Sequence, residues 1–258
     1  MKKDYIRLVI SDLHLGSMHS KEEKILELLQ TVEFDELILA GDVVDFIKVP
    51  TFTKSTAKIF SLLSRLEKRV VYVIGNHDIA FANFEGKRIL NVEFVETYDF
   101  AYAGKKYRVM HGHQFDKGVV RWPTFMNVVS VIQDWLERRF TWELASWWVG
   151  RSLKKRKLRR VWDILKWNKD ADVFIMGHTH VPEVVIWVDK NEKIKTYVNC
   201  GDWEYNMTYV IIKDNQLRLK RFKPSQPKPL EQQEQQLRSP SASDSIPQQG
   251  ILDKPLRR

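Results

Sequence analysis

The sequence predicts an α/β fold, an α/β sandwich with mixed β-sheets. The first half of the chain alternates short apolar runs with amphipathic stretches, which is typical of strand–helix–strand units. Residues 183–222 instead form a series of short segments that predicts consecutive strands and hairpins. Because 258 residues suffice for one good-sized core, we expect a single domain over residues 1–223.

The elements of the first half can be assigned one by one. Five short apolar runs predict strands, at residues 5–10, 36–40, 70–74, 107–110 and 173–176. Apolar residues at helical spacing predict helices at 20–30 and 53–68. Ser20 is the expected N-cap of the first helix, and either Thr51 or Thr53 that of the second.

Both ends of the chain have distinct compositions. The N-terminus has two lysines and a short apolar run that Asp12 and His14 interrupt, so it predicts a first strand and not a signal peptide. No run approaches the roughly 20 apolar residues of a membrane helix. The segment 224–258 is rich in Gln, Pro and Ser and predicts a disordered tail.

Cysteine content indicates the cellular location, and net charge indicates the kind of binding partner. Cys200 is the only cysteine, which excludes an internal disulfide and favours a reducing, cytoplasmic location. The net charge of +9 favours anionic partners, namely phosphates, nucleic acid or an acidic membrane face.

Polar motifs follow the five predicted strands of the first set. They are SDLHLG, GDVVD, GNHD, HGH and GHTH, which contain Asp12, His14, Asp42, Asp45, Asn76, His77, Asp78, His111, His113, His178 and His180. Ligands of open α/β sheets bind beyond the carboxyl ends of the strands. We therefore expect all five motifs to converge on one edge.

These residue types are suited to metal chemistry. His, Asp and Asn are ligands of divalent manganese, iron, zinc and cobalt. Alternating positions such as Asp12/His14 and His178/His180 share one face of an extended segment, so each pair can address one centre. Two metals about 3.5–4 Å apart activate water and clamp a phosphoryl group. A single motif of this kind is usually a turn or a hydrogen-bonded surface histidine, but five in succession indicate a metal site.

The motifs DLHLG, GDVVD, GNHD, HGH and GHTH, in this order over about residues 5–220, resemble those of the calcineurin-like metallophosphoesterases. The resemblance implies a four-layer αββα sandwich of two mixed β-sheets. It also implies a site for two divalent metal ions, with manganese expected first and iron, zinc or cobalt as alternatives. By motif matching, one metal is held by Asp12, His14, Asp42 and His180. The other is held by Asp42 as a bridge, Asn76, His111 and His178.

The resemblance also implies roles in catalysis. A hydroxide held between the metals would attack phosphorus in line. Asn76 and His77 would contact the substrate phosphate, and His77 would protonate the leaving oxygen. Asp78 would orient His77.

An insert between His111 and His178 indicates which group within the family the chain resembles. The segment at about 119–168 contains seven tryptophans and the basic run RSLKKRKLRR, and a GDW motif follows the last histidine pair. Both features resemble the UDP-2,3-diacylglucosamine pyrophosphatases of lipid A synthesis, which implies a helical insert capping the site and products lipid X and UMP. Well-studied members carry Arg where this chain has His77. The sequence GDVVDFI, without Arg after Asp45, argues against the protein serine/threonine phosphatases.

Several alternatives remain for the insert and for the function. Trp147, Trp148, Arg156 and Lys157 are candidate lipid contacts, which would make the protein peripheral on the inner face of the plasma membrane. The same residues would also suit a tryptophan core with a solvated basic face, or nucleic acid bound by stacking. Alternative functions are hydrolysis of another nucleotide, lipid or nucleic-acid diester, and a non-catalytic membrane- or protein-binding scaffold. The complete ligand set argues against the scaffold.

Overall fold

A computed structural model of the chain describes residues 4–47, 50–116, 161, 164–165, 170–188 and 191–224. The chain divides into two compact units, Met1–Phe222 and Lys223–Arg258, and the following account concerns the first. Most of the predicted insert and nearly all of the predicted tail lie outside the described residues.

Twelve β-strands, two complete α-helices and the isolated helical residues 161, 164 and 165 lie within these ranges. The strands are β1 (Arg7–Ile10), β2 (Glu36–Ala40), β3 (Arg69–Val73), β4 (Arg88–Ile89), β5 (Val92–Val95), β6 (Thr97–Tyr102), β7 (Lys105–Met110), β8 (Val173–Met176), β9 (Glu183–Val188), β10 (Ile194–Asn199), β11 (Thr208–Lys213) and β12 (Gln216–Arg221). The helices are α1 (Glu22–Thr31) and α2 (Lys54–Arg65). None of the helices in these parts of the chain is long and apolar enough to span a bilayer.

The strands form two mixed sheets. Sheet I has the order β12-β11-β1-β2-β3-β5-β4, and β1, β2, β3 and β5 run parallel. Sheet II has the order β6-β7-β8-β10-β9, and β7, β8 and β10 run parallel. The α/β prediction with mixed sheets is therefore confirmed.

Buried strands distribute alternate side chains to two different cores. In β2, Ile38 packs between the sheets, while Leu37 and Leu39 pack against the side that carries α1 and α2. On the outer face of sheet II, Phe174 packs with the helical residues at 161, 164 and 165. Because both faces of each sheet are covered, the central strands read as continuous apolar runs. The order of layers is helix, sheet, sheet, helix, as the four-layer prediction requires.

The predicted helix caps differ in outcome. Thr53 caps α2, because its hydroxyl accepts hydrogen bonds from the backbone of Ser55 and Thr56. The prediction for Ser20 was wrong: α1 starts after Lys21, and the Ser20 hydroxyl donates to the carbonyl of Leu13 at 2.7 Å. The Ser20 side chain thus ties down the preceding loop and leaves α1 without a side-chain cap.

A buried charged cluster links Tyr98 of sheet II to the amino ends of the parallel strands β1, β2 and β3 of sheet I. The Glu36 carboxylate of β2 is 1% exposed and pairs with Arg7 Nε at 2.7 Å. The hydroxyl of Tyr98, from sheet II, donates to Glu36 Oε1 at 2.7 Å. Arg69 Nη1 lies 3.5 Å from the same oxygen. This cluster lies at the opposite end of β2 from the GDVVD motif.

Candidate metal centre

The five motifs meet at one edge, where the carboxyl ends of β1, β2 and β3 in sheet I face those of β7 and β8 in sheet II. Three groups of side chains there offer donor atoms within 4.8 Å of one another. The groups are Asp12/His14/His180, Asp42/His111/His178 and His14/Asp45/His77. The structure thus brings six of the seven predicted ligands into two adjoining groups.

The first group surrounds a small volume. His180 Nε2 lies 3.1 Å from Asp12 Oδ1, and His14 Nε2 lies 3.2 Å from His180 Nε2. Burial alone would raise the pKa of Asp12, but His180 and His111 together lower this pKa to about 2. An ionised carboxylate and two imidazole nitrogens directed at each other are the donors that a divalent cation would bind.

The second group contains buried atoms that lack partners. His111 Nε2 is 3.0 Å from Asp42 Oδ2, yet it makes no hydrogen bond. Asn76 Oδ1, the seventh predicted ligand, is also buried without a hydrogen-bond partner. Buried polar atoms are nearly always satisfied. His111 Nε2, an unsatisfied nitrogen beside the Asp42 carboxylate, therefore fits a bound metal ion at this place.

The backbone fixes the orientation of His111. Its Nδ1 lies 3.0 Å from the carbonyl oxygen of Ala40, which presents Nε2 to the centre. Burial alone would lower the pKa of His111, but the Asp42 carboxylate outweighs it and raises the pKa to about 10. The Asp42 side of the centre thus strongly attracts positive charge.

The ligand loops are not extended. Positive φ angles occur at five candidate ligands, namely Asp12 (53°), His14 (46°), Asp42 (51°), His178 (66°) and His180 (57°). Asp12 and His14 still belong to one group, but His178 and His180 are directed to different ones. The expectation that each pair lies on an extended segment was therefore wrong for both pairs, because left-handed backbone breaks the alternation of strand side chains.

Close approach of the loops explains one glycine of the GHTH motif. A Cβ at Gly177 would overlap Ser11 Oγ and Asp12 Oδ2. The next backbone amide, that of His178, donates to Asp12 Oδ2 at 3.0 Å. Gly177 therefore lets the loop after β8 reach the carboxylate that follows β1.

The orienting partner of His77 is Asp45 and not Asp78. His77 Nδ1 lies 2.9 Å from Asp45 Oδ1, and its Nε2 lies 3.9 Å from Asp42 Oδ2. The Asp78 carboxylate instead accepts hydrogen bonds from Val43 N at 2.8 Å, Tyr72 Oη at 2.6 Å and Gly75 N at 2.5 Å. Asp78 thus braces the loops that follow β2 and β3, and the expected contact with His77 was wrong.

The segment 199–206 braces the centre, a structural role that was not predicted from its sequence. Asn199 Nδ2 donates to the Gly177 carbonyl at 2.6 Å and contacts Thr179 Oγ1 at 3.0 Å. Asn206 Nδ2 donates to the His180 carbonyl at 2.8 Å. Asn199 is the last residue of β10. The search for polar residues at the ends of apolar strands, which identified the other site residues, would therefore also have identified Asn199.

The proposed lipid contacts Trp147, Trp148, Arg156 and Lys157 lie outside the described residues, so their role stays a prediction. The same holds for the shape of the insert over the site.

Carboxylates, imidazoles and an amide oxygen gathered at the strand ends of a two-sheet α/β fold define a metal-dependent hydrolase. The family model of the calcineurin-like phosphoesterases matches residues 7–182. The chain belongs to this family and is a metal-dependent phosphohydrolase. Members of the family use a dinuclear site of divalent metal ions.

Two relatives extend the similarity over most of the chain. A UDP-2,3-diacylglucosamine hydrolase of Vibrio cholerae serotype O1 is 25% identical over 244 residues, which cover 81% of this chain and 95% of that protein. A protein of the same name from Vibrio cholerae O395 is 24% identical over 239 residues, with 80% and 92% covered.

Solved structures are similar to the chain at lower sequence identity. An Escherichia coli phosphoesterase, Yfce, is 17% identical with a TM-score of 0.46, covering 84% of this chain and 92% of its own. Vacuolar protein sorting 29 of Cryptosporidium parvum is 18% identical with a TM-score of 0.42, covering 84% and 96%.

Proposed function

We propose that this chain hydrolyses a phosphoanhydride or phosphodiester that carries a nucleotide, with UDP-2,3-diacylglucosamine as the leading substrate and lipid X and UMP as products. The observation that carries the chemistry is the meeting of the Asp12/His14/His180 and Asp42/His111/His178 groups at one edge. The substrate is supported by the similarity to the Vibrio cholerae hydrolase over 95% of that protein.

Each group would hold one divalent ion. Asp12, His14 and His180 would hold the first, and Asn76, His111 and His178 the second, with Asp42 shared between them. Manganese is the proposed metal. Such a pair of ions would lower the pKa of a water molecule and neutralise the charge of the phosphoryl oxygens.

His77 would then act on the substrate. Since Asp45 binds its Nδ1 at 2.9 Å, its Nε2 is left on the side of Asp42. From that position Nε2 can donate a hydrogen bond to the phosphate and a proton to the leaving oxygen, while Asp45 holds the ring and stabilises its charged form. The His77 side chain is 19% exposed, so a substrate can reach it.

The proposal also includes an anionic membrane surface as a partner. Residues 117–169 contain 13 Lys or Arg and only 4 Asp or Glu, and the remaining residues are neutral in sum. The whole net charge of +9 thus lies in the segment that joins two motifs of the centre. Such a segment would favour a substrate presented in an anionic lipid surface.

Release of UMP from UDP-2,3-diacylglucosamine tests both statements. Purified protein with Mn²⁺ is given the substrate in vesicles of zwitterionic or anionic lipid, and UMP is quantified. We expect rapid UMP formation that is faster on anionic vesicles and absent in Asp42→Ala, which removes the shared ligand and also lowers bound Mn²⁺.

The outcomes separate the parts of the proposal. Hydrolysis of bis-p-nitrophenyl phosphate without UMP release would overturn the assignment of the substrate and support a phosphodiesterase activity on another substrate. Equal rates on both vesicles would overturn the membrane partner. Normal turnover in Asp42→Ala would overturn the ligand assignment.

A further inference from the structure

A groove of about 750 Å³ opens beside the candidate metal centre. Gly16 and Asp45 form its inner end. Asp45 is the residue that holds His77 at 2.9 Å, and Gly16 follows the candidate ligand His14 by two positions. The groove therefore begins one side chain away from the residue that would contact the reacting phosphate.

The starts of both helices form the walls of the groove. Lys21 and Lys54, at the starts of α1 and α2, line it and are exposed. Within the described part of the chain, neither ammonium group is in an ion pair. Lys24, on the same wall, is different because its ammonium group lies 3.2 Å from Glu27 Oε2. Two cationic side chains are thus available to a ligand.

The remaining lining is polar. Glu23 is exposed at the groove. Serines and threonines also line the groove. Glu22 is not available, because its carboxylate accepts hydrogen bonds from Gly16 N at 3.1 Å and Thr56 Oγ1 at 2.7 Å. Met18 is the one large apolar side chain in this lining.

This mixture of groups matches a nucleotide. Ammonium groups bind phosphate and carbonyl oxygens, and a carboxylate binds ribose hydroxyls. The volume also lies within the usual range of small-molecule sites, about 300–1,000 Å³. We propose that the groove binds the nucleoside monophosphate half of the substrate, with Lys21 and Lys54 as donors and Glu23 as the acceptor of ribose hydroxyls. This inference rests on the proposed function.

Product inhibition tests the groove separately from the metal centre. Hydrolysis of bis-p-nitrophenyl phosphate is measured at increasing concentrations of UMP or inorganic phosphate. Each rate is divided by the uninhibited rate of the same variant, which gives an inhibition constant for each inhibitor. Phosphate can occupy the metal centre alone, whereas UMP would also occupy the groove. We expect Lys21→Ala and Lys54→Ala each to raise the inhibition constant of UMP about tenfold, the loss of roughly one charged hydrogen bond, and to leave that of phosphate unchanged.

Lys58→Ala is the matched control, because Lys58 is an exposed lysine one turn further along α2 and does not line the groove. An equal effect of Lys58→Ala, or parallel changes for UMP and phosphate, would overturn the proposal. If the wild-type protein does not hydrolyse the diester, the proposed function fails. The same comparison by calorimetry with UMP and phosphate then decides whether the groove binds a nucleotide.

Discussion

Five candidate ligands lie on left-handed backbone, and none of them is glycine. Such conformations cost about 1–3 kcal/mol each and persist only where neighbouring groups hold them. The neighbours are visible: His14 N donates to the Asp42 carbonyl at 3.0 Å, and Trp203 N donates to the Asp12 carbonyl at 3.0 Å. The donor atoms are therefore positioned by backbone hydrogen bonds between motifs.

At this scale the sequence predicted residue types better than residue partners. Asp, His and Asn after apolar strands identified the candidate ligands, because the chemistry of a metal site restricts the choice of side chain. The partner of His77 could not be predicted in the same way. Asp78 follows His77 directly, whereas Asp45 is 32 positions away in another motif, and only the fold decides which carboxylate reaches the ring.

The two aspartates should therefore differ when each is replaced by asparagine. Asp45→Asn should lower kcat about 10²–10⁴-fold with bound metal retained, because His77 loses the carboxylate that orients it. Asp78→Asn should instead lower the melting temperature, because an amide cannot accept all the hydrogen bonds of the buried carboxylate. Steady-state kinetics, metal analysis and thermal unfolding measure these effects. Equal losses of kcat with both proteins fully folded would contradict these separate roles, and a loss confined to Asp78→Asn would return the orienting role to Asp78.

At the scale of elements, β10 supports the centre without supplying a ligand. Its last residue, Asn199, is fully buried and holds the loop of His178 and His180 through the carbonyl of Gly177. This arrangement resembles the outer layer of many metal sites, where groups that bind the ligands' own loop set the geometry of the ligands.

Asn199→Asp should weaken Mn²⁺ binding about 10–100-fold, the usual effect of losing an outer-layer hydrogen bond. The carboxylate would face the Gly177 carbonyl, now 2.6 Å from the amide nitrogen, and push the loop away. Titration with Mn²⁺ measures the change. Asn91→Asp is the control, because Asn91 Nδ2 donates in a similar way to the Leu66 carbonyl at 2.9 Å near the end of α2. A similar loss of Mn²⁺ affinity in the control would show that Asn199 acts only through stability.

The sequence predicted strongly apolar elements and missed weakly patterned ones. β2 and β8 match their predicted ranges, since strands buried on both faces leave continuous apolar runs. The strands β4, β5 and β6 were not predicted. β6 (TYDFAY) is at the edge of sheet II and only one of its residues is buried, so its sequence carries little of the hydrophobic signal.

For the whole molecule, the two ends of the parallel strands of sheet I have separate tasks. The carboxyl ends carry the metal ligands, and the amino ends carry the Glu36 cluster that links Arg7, Arg69 and Tyr98. Removal of one member of a buried ion pair destabilises the fold, because it leaves the other charge without a partner.

Glu36→Ala should lower the free energy of unfolding by about 3–5 kcal/mol, because it leaves Arg7 as an unpaired charge at the sheet interface. Denaturant unfolding measures this value. Glu93→Ala removes the other partner of Arg69, an exposed pair at 2.6 Å, and should cost less than about 1 kcal/mol. Folded Glu36→Ala protein should bind Mn²⁺ as the wild type does; a loss of metal would mean that the two ends are coupled.

The ligands come together from distant parts of the chain. His14 and His180 are 166 positions apart, yet their Nε2 atoms are 3.2 Å apart. Contacts of such long sequence separation form late in folding, because the chain must first lose the entropy of a large loop. A metal ion therefore cannot nucleate this fold: it would bind after both sheets have packed, slow unfolding, and leave the rate of folding nearly unchanged.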